Sequence, residues 1–305
     1  METQTSKNPI VSILMPVYNA ESFIEESLLT ILNQSFKNFE LILINDGSTD
    51  SSLKILEKYA DIEDRIVLID RENKGLVQSL NDAINISKGK FLARMDSDDL
   101  SAPLRLESQL KLMQEKKLDI CGCHYFIIDQ NNKYLDSFLA PLNNESLLFF
   151  LAQGVPFAHG SVLIRKEFLE IHKICYGDDY HYAEDKALWH RMYNLGARFG
   201  NVNDFLFSYR ELSSSLSKNR AKLIYADHKI LKIQTIKQHQ DRIFLIIKNK
   251  IPFFKNLPAR EKEYLSDTLV DTLIYGNANK LSLIKFFWSL PNRYKALSIL
   301  KKMRR

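Results

Sequence analysis

Three carboxylates crowd into four positions at Asp96, Asp98 and Asp99, straight after the strand-like run FLARM at 91–95. Like charges at that spacing repel unless a cation sits among them. Mg2+ and Mn2+ prefer hard oxygen ligands, which makes Asp96 and Asp98 a candidate metal pair. In an extended segment two positions apart share one side, so both are expected to face the ion while Asp99 points away toward the following helix. A cation held in this way suits a bound diphosphate. The ten glycines include no G-x-G, so neither glycine-rich phosphate fingerprint is present, and carboxylate-held metal must stand in for glycine amides. A second acidic pair, Glu184–Asp185, opens YAEDKALWHRMYNLG. Read as a helix ending at Gly196, this stretch puts Asp185, Trp189 and Met192 on one face. A carboxylate at the head of an apolar stripe has a pKa raised toward that of a working general base. The same pair reads equally as a charge complement to the helix N-terminus.

The elements that must position these groups follow a regular alternation. IVSILM, ELILIN, RIVLID and GKFLARM read as buried strands. Between them AESFIEESLLTILNQ, DSSLKILEKYA and GLVQSLNDAINIS carry helical spacing, the second with a polar start at Asp50 or Ser51. SAPLRLESQLKLMQ follows as a helix, with Ser101 as its cap and Pro103 in its first turn. Strands alternating with helices predict an open, mostly parallel α/β sheet, whose ligands bind beyond the carboxyl ends of the strands. Those ends are PVYN, NDGSTD, IDRENKG and MDSDD, and Asp46, Asp70 and Asp96 each follow an apolar run directly. Any one of them alone could be a helix cap. Together they outline a binding edge.

At 45% apolar and 26% charged, the 305 residues have the composition of an ordinary globular protein. Cys121 and Cys123 read as small apolar residues in the strand DICGCHYFII, and with Cys175 they make an odd number without C-x-x-C spacing. A reducing, cytoplasmic compartment is the expectation, since the polar opening METQTSKNPI lacks signal-peptide character and no window is apolar enough to span a bilayer. The net charge of +5 is uneven: residues 241–305 hold 14 Lys and Arg against 5 Asp and Glu, and the rest hold 28 against 32. After Asn279 there are eight basic residues and no acid, interleaved with Phe286, Phe287 and Trp288. That mixture suits an anionic membrane surface, or else a helical subdomain packed on its apolar side. No nucleic-acid module accompanies it.

SILMPVYNAESFIEESLLTILNQSFKNFELILINDGSTDSS, followed by ENKGLVQSLNDAINISKGKFLARMDSDD, resembles glycosyltransferase family 2, with the GT-A fold, a Rossmann-like and mostly parallel sheet flanked by helices. The resemblance is close over about 10–120 and looser to about 215. It implies a catalytic domain at 1–225, binding nucleotide sugar through about 10–120 and acceptor through about 121–225, ahead of a helical basic region at 226–305. It implies an inverting hexosyltransferase that uses a nucleotide diphosphate sugar, usually UDP-linked, with Mn2+ or Mg2+. Residue by residue, Pro16 would help bind the nucleotide sugar, Tyr18 would lie against the base and Asp46 would accept the uracil N–H. Asn73 and Gly75 would shape the loop over the nucleotide, Gly75 by admitting close backbone approach. Asp96 would meet the ribose or the metal, and Asp98 would be the main metal ligand. Tyr18 could instead be a core residue, and Arg94, placed near the nucleotide, could be a solvated strand-end residue.

Glu184–Asp185 matches the family's "ED" motif, which implies Asp185 as base and Glu184 as an acceptor contact, with Trp189 beside them. His159 in VPFAHGSVLIRK would touch the acceptor or a phosphate, or be a turn residue. SYRELSSSLSKNR resembles the family's mobile loop, with Tyr209, Arg210, Ser215 and Ser217 in place but Leu212 where a His is common. Arg210 could supply charge to the leaving group. The resemblance points to surface oligosaccharide or polysaccharide synthesis on a glycan or lipid-linked acceptor. It therefore favours peripheral attachment to the inner face of the plasma membrane through 280–305. A nucleotidyltransferase and a non-catalytic nucleotide- or carbohydrate-binding module are the alternatives. The first is disfavoured by the lack of a basic Gly-rich opening loop, the second by the intact Asp46, Asp96, Asp98 and Asp185.

Overall fold

Strands β1 (Val11–Val17) and β2 (Phe39–Asp46) are buried along their whole length, the condition of a parallel sheet covered on both faces. They belong to a computed structural model that describes residues 8–177, 180, 183–212, 221–250 and 259–275. The basic segment 280–305, and Ser215 and Ser217, lie outside the described residues. With β3 (Ile66–Arg71) and β4 (Phe91–Arg94) the first two strands form a parallel block in the order β3-β2-β1-β4. The connecting helices are α1 (Ile24–Leu32), α2 (Ser52–Ala60) and α3 (Leu76–Ile86). The apolar sides of α1 and α2 close a core that includes Ile13, Met15, Ile24, Leu28, Leu41, Leu43 and Leu56. The chain runs outward from β1 to β3, then returns to place β4 on the other side of β1. The switch point therefore falls between β1 and β4, where open α/β sheets form their ligand crevice.

Beyond β4 the sheet turns antiparallel through β8 (Leu163–Arg165), then continues to β6 (Ile120–Ile128) and β9 (Phe199–Arg210). A short β5 (Leu100–Ser101) pairs with β9 at the far edge, and β7 (Tyr134–Phe138) pairs with β6. Cys121 and Cys123 are buried in β6 as anticipated, and burial pushes the Cys123 thiol up to about 12, so it is inert. Ser101 is not a helix cap. It lies in β5, and α4 begins later, at Arg105, and runs to Lys116. Gln34 supplies the missing polar contacts: its amide donates to the Ala102 carbonyl at 2.8 Å and accepts from the Leu106 N–H at 3.2 Å. A side chain from another element thus satisfies one of the orphan donors of the first turn.

The described residues fall into two compact units, one drawn from Met1–Leu142 and Phe157–Arg220, the other from Asn143–Pro156 and Ala221–Arg305. The first holds the sheet, α1–α4, α6 (Lys166–His172) and α7 (Glu184–Asn194). The second holds α5 (Asn144–Gln153), α8 (Ala221–Lys250) and α9 (Ala259–Tyr275). Its interior contains a Lys232–Asp271 ion pair at 2.6 Å, to which Gln153 adds a hydrogen bond at 2.8 Å. No helix among the described residues is long and apolar enough to cross a membrane.

Candidate active site

At the carboxyl end of β1, Tyr18 is 53% exposed. It is therefore not a core tyrosine, and its ring is free to meet a planar ligand. The loop around it is fastened to the loop after β2. Asn19, at φ 48°, accepts from the Thr49 N–H at 2.8 Å, and Asp50 accepts from the Glu21 N–H at 3.0 Å. Asp46 ends β2 and is buried. Its two oxygens accept from the Lys74 and Gly75 N–H groups at 2.9 and 2.8 Å, and Arg71 pairs with it at 3.0 Å. Asp46 thus fixes the loop carrying Asn73 and Gly75 from below. Lone-pair capacity remains, since a carboxylate has about four acceptor sites.

Gly75 sits at φ 86° with open space where a Cβ would be, so a left-handed backbone, not close approach, calls for glycine there. Close approach applies instead at Gly47. It adopts φ 71°, and a Cβ would lie 2.6 Å from the Asn73 nitrogen. Gly47→Ala is expected to cost about 1–3 kcal/mol and to weaken nucleotide binding by shifting both loops. Thermal unfolding and UDP titration check this, and an alanine variant unchanged in both would show that the loops tolerate the displacement.

The carboxylates after β4 are arranged differently from the expectation. Ser97 and Asp98 form a turn, so the segment is not extended and the alternation rule does not apply. Asp99 does not face away. Its Oδ2 and that of Asp96 would lie 3.0 and 2.7 Å from a Cβ on Gly160, with the Phe207 ring at 2.7 Å, so both carboxylates crowd that glycine. Burial and the charge of Asp96 push the Asp98 carboxyl up to about 6. The fully buried Asp99 is raised well above its ordinary value, by burial first and then by Asp96 and Asp98. Its Oδ1 accepts from the Arg210 N–H at 2.7 Å, while Oδ2 is buried with no partner among the described residues. Ionising this cluster is unfavourable without a cation.

No group of three metal-ligating side chains is found among the described residues. A site of one or two carboxylates completed by phosphate oxygens is the usual arrangement for Mg2+, and Asp96 with Asp98 fits it. Arg94 is 3% exposed, not a solvated strand-end residue. Its Nη2 pairs with Asp96 Oδ1 at 2.5 Å, but Nε and Nη1 are buried and have no partner among the described residues. A guanidinium with donors to spare is poised for an anion.

Two further arginines hold this cluster in place. Arg105, on the buried face of α4, donates to the Arg94 carbonyl at 3.1 Å and the Gly160 carbonyl at 2.8 Å. Arg210 donates to the Asp98 carbonyl at 2.6 Å, to Asn132 Oδ1 at 2.6 Å and to Glu26 at 3.0 Å, with its guanidinium over the Phe23 ring. Its donors are committed to the protein, so it is a clamp on the acidic turn and not a free charge for a leaving group. Arg105 was legible as a charged residue beside the apolar stripe Leu106, Leu110 and Met113. For the partners of Arg210 no signal existed, since they come from three distant segments.

Opposite lie the residues of the 159–161 turn and of α7. Burial, followed by the charge of Asp185, pushes Glu184 up to about 7, and Asp185 is raised chiefly by burial. Asp96 raises both and Arg94 lowers both, so the two acidic groups share one electrostatic environment. Asp185 accepts from the Lys186 N–H at 2.5 Å. His159 Nδ1 is 3.7 Å from Glu184 Oε1, and its Nε2 is 2.9 Å from the Tyr176 hydroxyl. Trp189 is 0% exposed and packs edge-on against Phe157, His159 and Tyr176. Its part is to support His159. Tyr176 was not singled out in the sequence.

Residues 12–171 match the model of the glycosyl transferase family 2. An O-antigen biosynthesis glycosyltransferase of Escherichia coli is 31% identical over 214 residues, covering 69% of this chain and 83% of its own. An uncharacterized glycosyltransferase of Haemophilus influenzae is 33% identical over 219 residues, 66% of this chain, which spans 65% of that relative's length. Among solved structures, S. aureus TarS in complex with UDP aligns with a TM-score of 0.57 at 19% identity, over 97% of this chain and 92% of that one. A Pyrobaculum calidifontis mannosyltransferase in complex with GDP-Man and Mn2+ aligns with a TM-score of 0.58 at 17% identity, over 98% and 85%. At these identities the likeness shows a common fold, the GT-A arrangement.

Proposed function

We propose, from the premise that this chain belongs to glycosyltransferase family 2, that it is an inverting, metal-dependent enzyme moving a sugar from a nucleotide diphosphate, UDP first among candidates, to a surface glycan or its lipid-linked precursor. Family membership makes it a glycosyltransferase with relatives in polysaccharide biosynthesis, which removes the nucleotidyltransferase and the binding-module alternatives. The observation that carries the finer reading is the pairing of two acidic groups around one buried arginine. Asp96, Asp98 and Asp99 lie on the donor side and Glu184 and Asp185 on the acceptor side, with Arg94 acting on both. The solved neighbours named with UDP and with GDP-Man plus Mn2+ support a nucleotide-sugar donor and a divalent ion.

In this reading the base stacks on Tyr18 above Pro16, with Asp46 holding the 73–75 loop and offering its remaining lone pairs to the ring. Asp98 and Asp96 would hold Mn2+ or Mg2+, which when bound supplies Lewis-acid neutralisation of the departing diphosphate. Arg94 adds its unpaired donors to the same charge. Asp185 takes the proton of the acceptor hydroxyl as that oxygen bonds to the anomeric carbon and the bond to diphosphate breaks. Glu184 and His159 orient the acceptor. A panel of nucleotide sugars, scored for metal-dependent turnover and thermal shift, tests the donor. If no UDP-sugar acts while another nucleotide does, the UDP assignment falls and the rest stands.

The raised carboxylates set opposite pH trends for activity and stability. Glu184, about 7 folded against an ordinary 4.5, binds its proton more tightly in the folded state. Its stabilising contribution is complete below the unfolded value and is lost as pH rises through about 7. Metal-free protein is therefore expected to melt at lower temperature at pH 8 than at pH 5.5. Over the same interval kcat/KM rises, because the base must be ionised, with the acidic pair titrating as a unit. Activity and stability rising together would contradict the assignment.

Peripheral attachment through 280–305 is part of the same proposal, resting on its eight basic residues and its aromatics. Removing that segment is expected to release the protein from anionic vesicles in a flotation assay. An unchanged bound fraction would rule out this anchor.

A further inference from the structure

We propose that Tyr176 is a positioning residue for transfer: its hydroxyl fixes His159 in the Nδ1–H tautomer, turning a donor toward Glu184 and dividing the work of two adjacent carboxylates. This rests on the reading of Glu184–Asp185 as the acceptor-side pair, and adds to it a residue and a reason why neighbours differ in role.

The argument is one of hydrogen-bond supply. Tyr176 is buried, and among the described residues its hydroxyl has one partner, His159 Nε2 at 2.9 Å. Burial raises the phenol far above its ordinary pKa, so it keeps its proton and must donate it. Burial also holds His159 well below its ordinary pKa, with Arg94 adding to the effect. A neutral imidazole has one acceptor nitrogen and one N–H. With Nε2 accepting from Tyr176, the proton resides on Nδ1, the nitrogen 3.7 Å from Glu184 Oε1. That separation exceeds a hydrogen bond in the free protein and lies within reach of a side-chain rotation, as is common before substrate is bound.

The arrangement is held from several sides. Asn81 grips the Tyr176 backbone with both ends of its amide, accepting from N–H at 3.1 Å and donating to C=O at 2.9 Å. Asn81 lies on α3, the helix that follows Gly75 in the loop over the nucleotide. Trp189 packs edge-on against both rings. The charged groups acting on the carboxylate pair are Arg94 and Asp96 from the β4 end, and Lys186 from α7. His159 adds the only imidazole N–H directed there among the described residues. Glu184, once hydrogen-bonded to it, is the fixed contact for an acceptor hydroxyl. Asp185, whose one hydrogen bond among the described residues is from the Lys186 N–H, is left to take the proton.

Tyr176→Phe keeps the ring and removes the donor. Imidazole 15N spectra of the full chain, assigned by loss of signal in His159→Gln, are expected to show His159 protonated at Nδ1 in the wild type and shifted toward Nε2–H in the Phe variant. In kinetics, Tyr176→Phe is expected to lower kcat about 10- to 100-fold, at or below what a positioned acid–base group contributes. KM for the donor should hold, and the acid limb of the kcat/KM profile should move. In a His159→Gln background the same change should cost nothing further. A wild-type His159 protonated at Nε2 would overturn the proposal. So would losses that multiply across the double variant with an unmoved pH profile, because packing alone gives that pattern. The tautomer spectrum needs no substrate, so a lack of transfer from every nucleotide sugar would count against the enzymatic reading and not against the hydrogen-bond assignment.

Discussion

Asp185→Asn is expected to reduce sugar transfer by about 1,000-fold, within the range a general base contributes, while leaving UDP affinity unchanged. The amide keeps the shape of the side chain and an oxygen to accept from the Lys186 N–H, so the head of α7 should not move. What it removes is the ability to take a proton. It also removes a carboxylate that burial makes costly to ionise, so the variant should unfold at the same or a higher temperature than the wild type at neutral pH. Three measurements read this together: single-turnover transfer, UDP titration and thermal unfolding. Loss of UDP binding along with turnover would mean that Asp185 holds the fold and is not the base. Retention of activity would move the role to Glu184.

Asp98→Asn should be as severe, by a different route. Asp98 shares its environment with Asp96 and is pushed up to about 6, so the wild type is destabilised at neutral pH by a charge awaiting a counter-ion. The amide relieves that strain and weakens the site for a hard cation. Turnover is expected to fall about 100-fold or more, and the manganese-dependent part of UDP affinity to vanish. Metal-free stability should rise slightly. In the wild type, adding Mn2+ with UDP should raise the melting temperature by mass action. In Asp98→Asn that response should shrink to what UDP alone gives. Full activity in the variant would remove Asp98 from the metal site and leave Arg94 as the principal neutraliser of diphosphate charge.

The parallel block was legible because its physics is local. β1, β2 and β4 are mostly apolar runs, and the segments between them carry helical spacing, so strands, helices and the acidic rim could be placed from the chain alone. The far edge of the sheet was not. β5 is two residues long and exists only because Leu100 and Ser101 meet Ser208 and Phe207 across the sheet. The same tertiary pairing displaced the start of α4 and handed the capping role to Gln34. Asp99 was misplaced for a related reason. The alternation rule holds for extended backbone, and a turn at Ser97 and Asp98 brings all three carboxylates to one neighbourhood.

In the site itself, residue types with obvious chemistry were found and their supports were missed. Asp98 and Asp185 announce themselves by charge and context. Arg105, Arg210 and Tyr176 act through partners that come from other segments, and nothing in a single sequence links those positions. Gly47 is intermediate. Its place in NDGSTD was visible, but the contact with Asn73 that forbids a side chain there is a distance only the fold supplies.

The most direct test of the account is a crystal structure of the protein soaked with UDP and MnCl2, with manganese located by its anomalous scattering. The account predicts one strong peak beside Asp98 and Asp96, its remaining ligands drawn from the diphosphate, with uracil on Tyr18 and Arg94 turned to the phosphates. Manganese and UDP bound away from those carboxylates, or UDP seated there with no metal at saturating concentration, would contradict it.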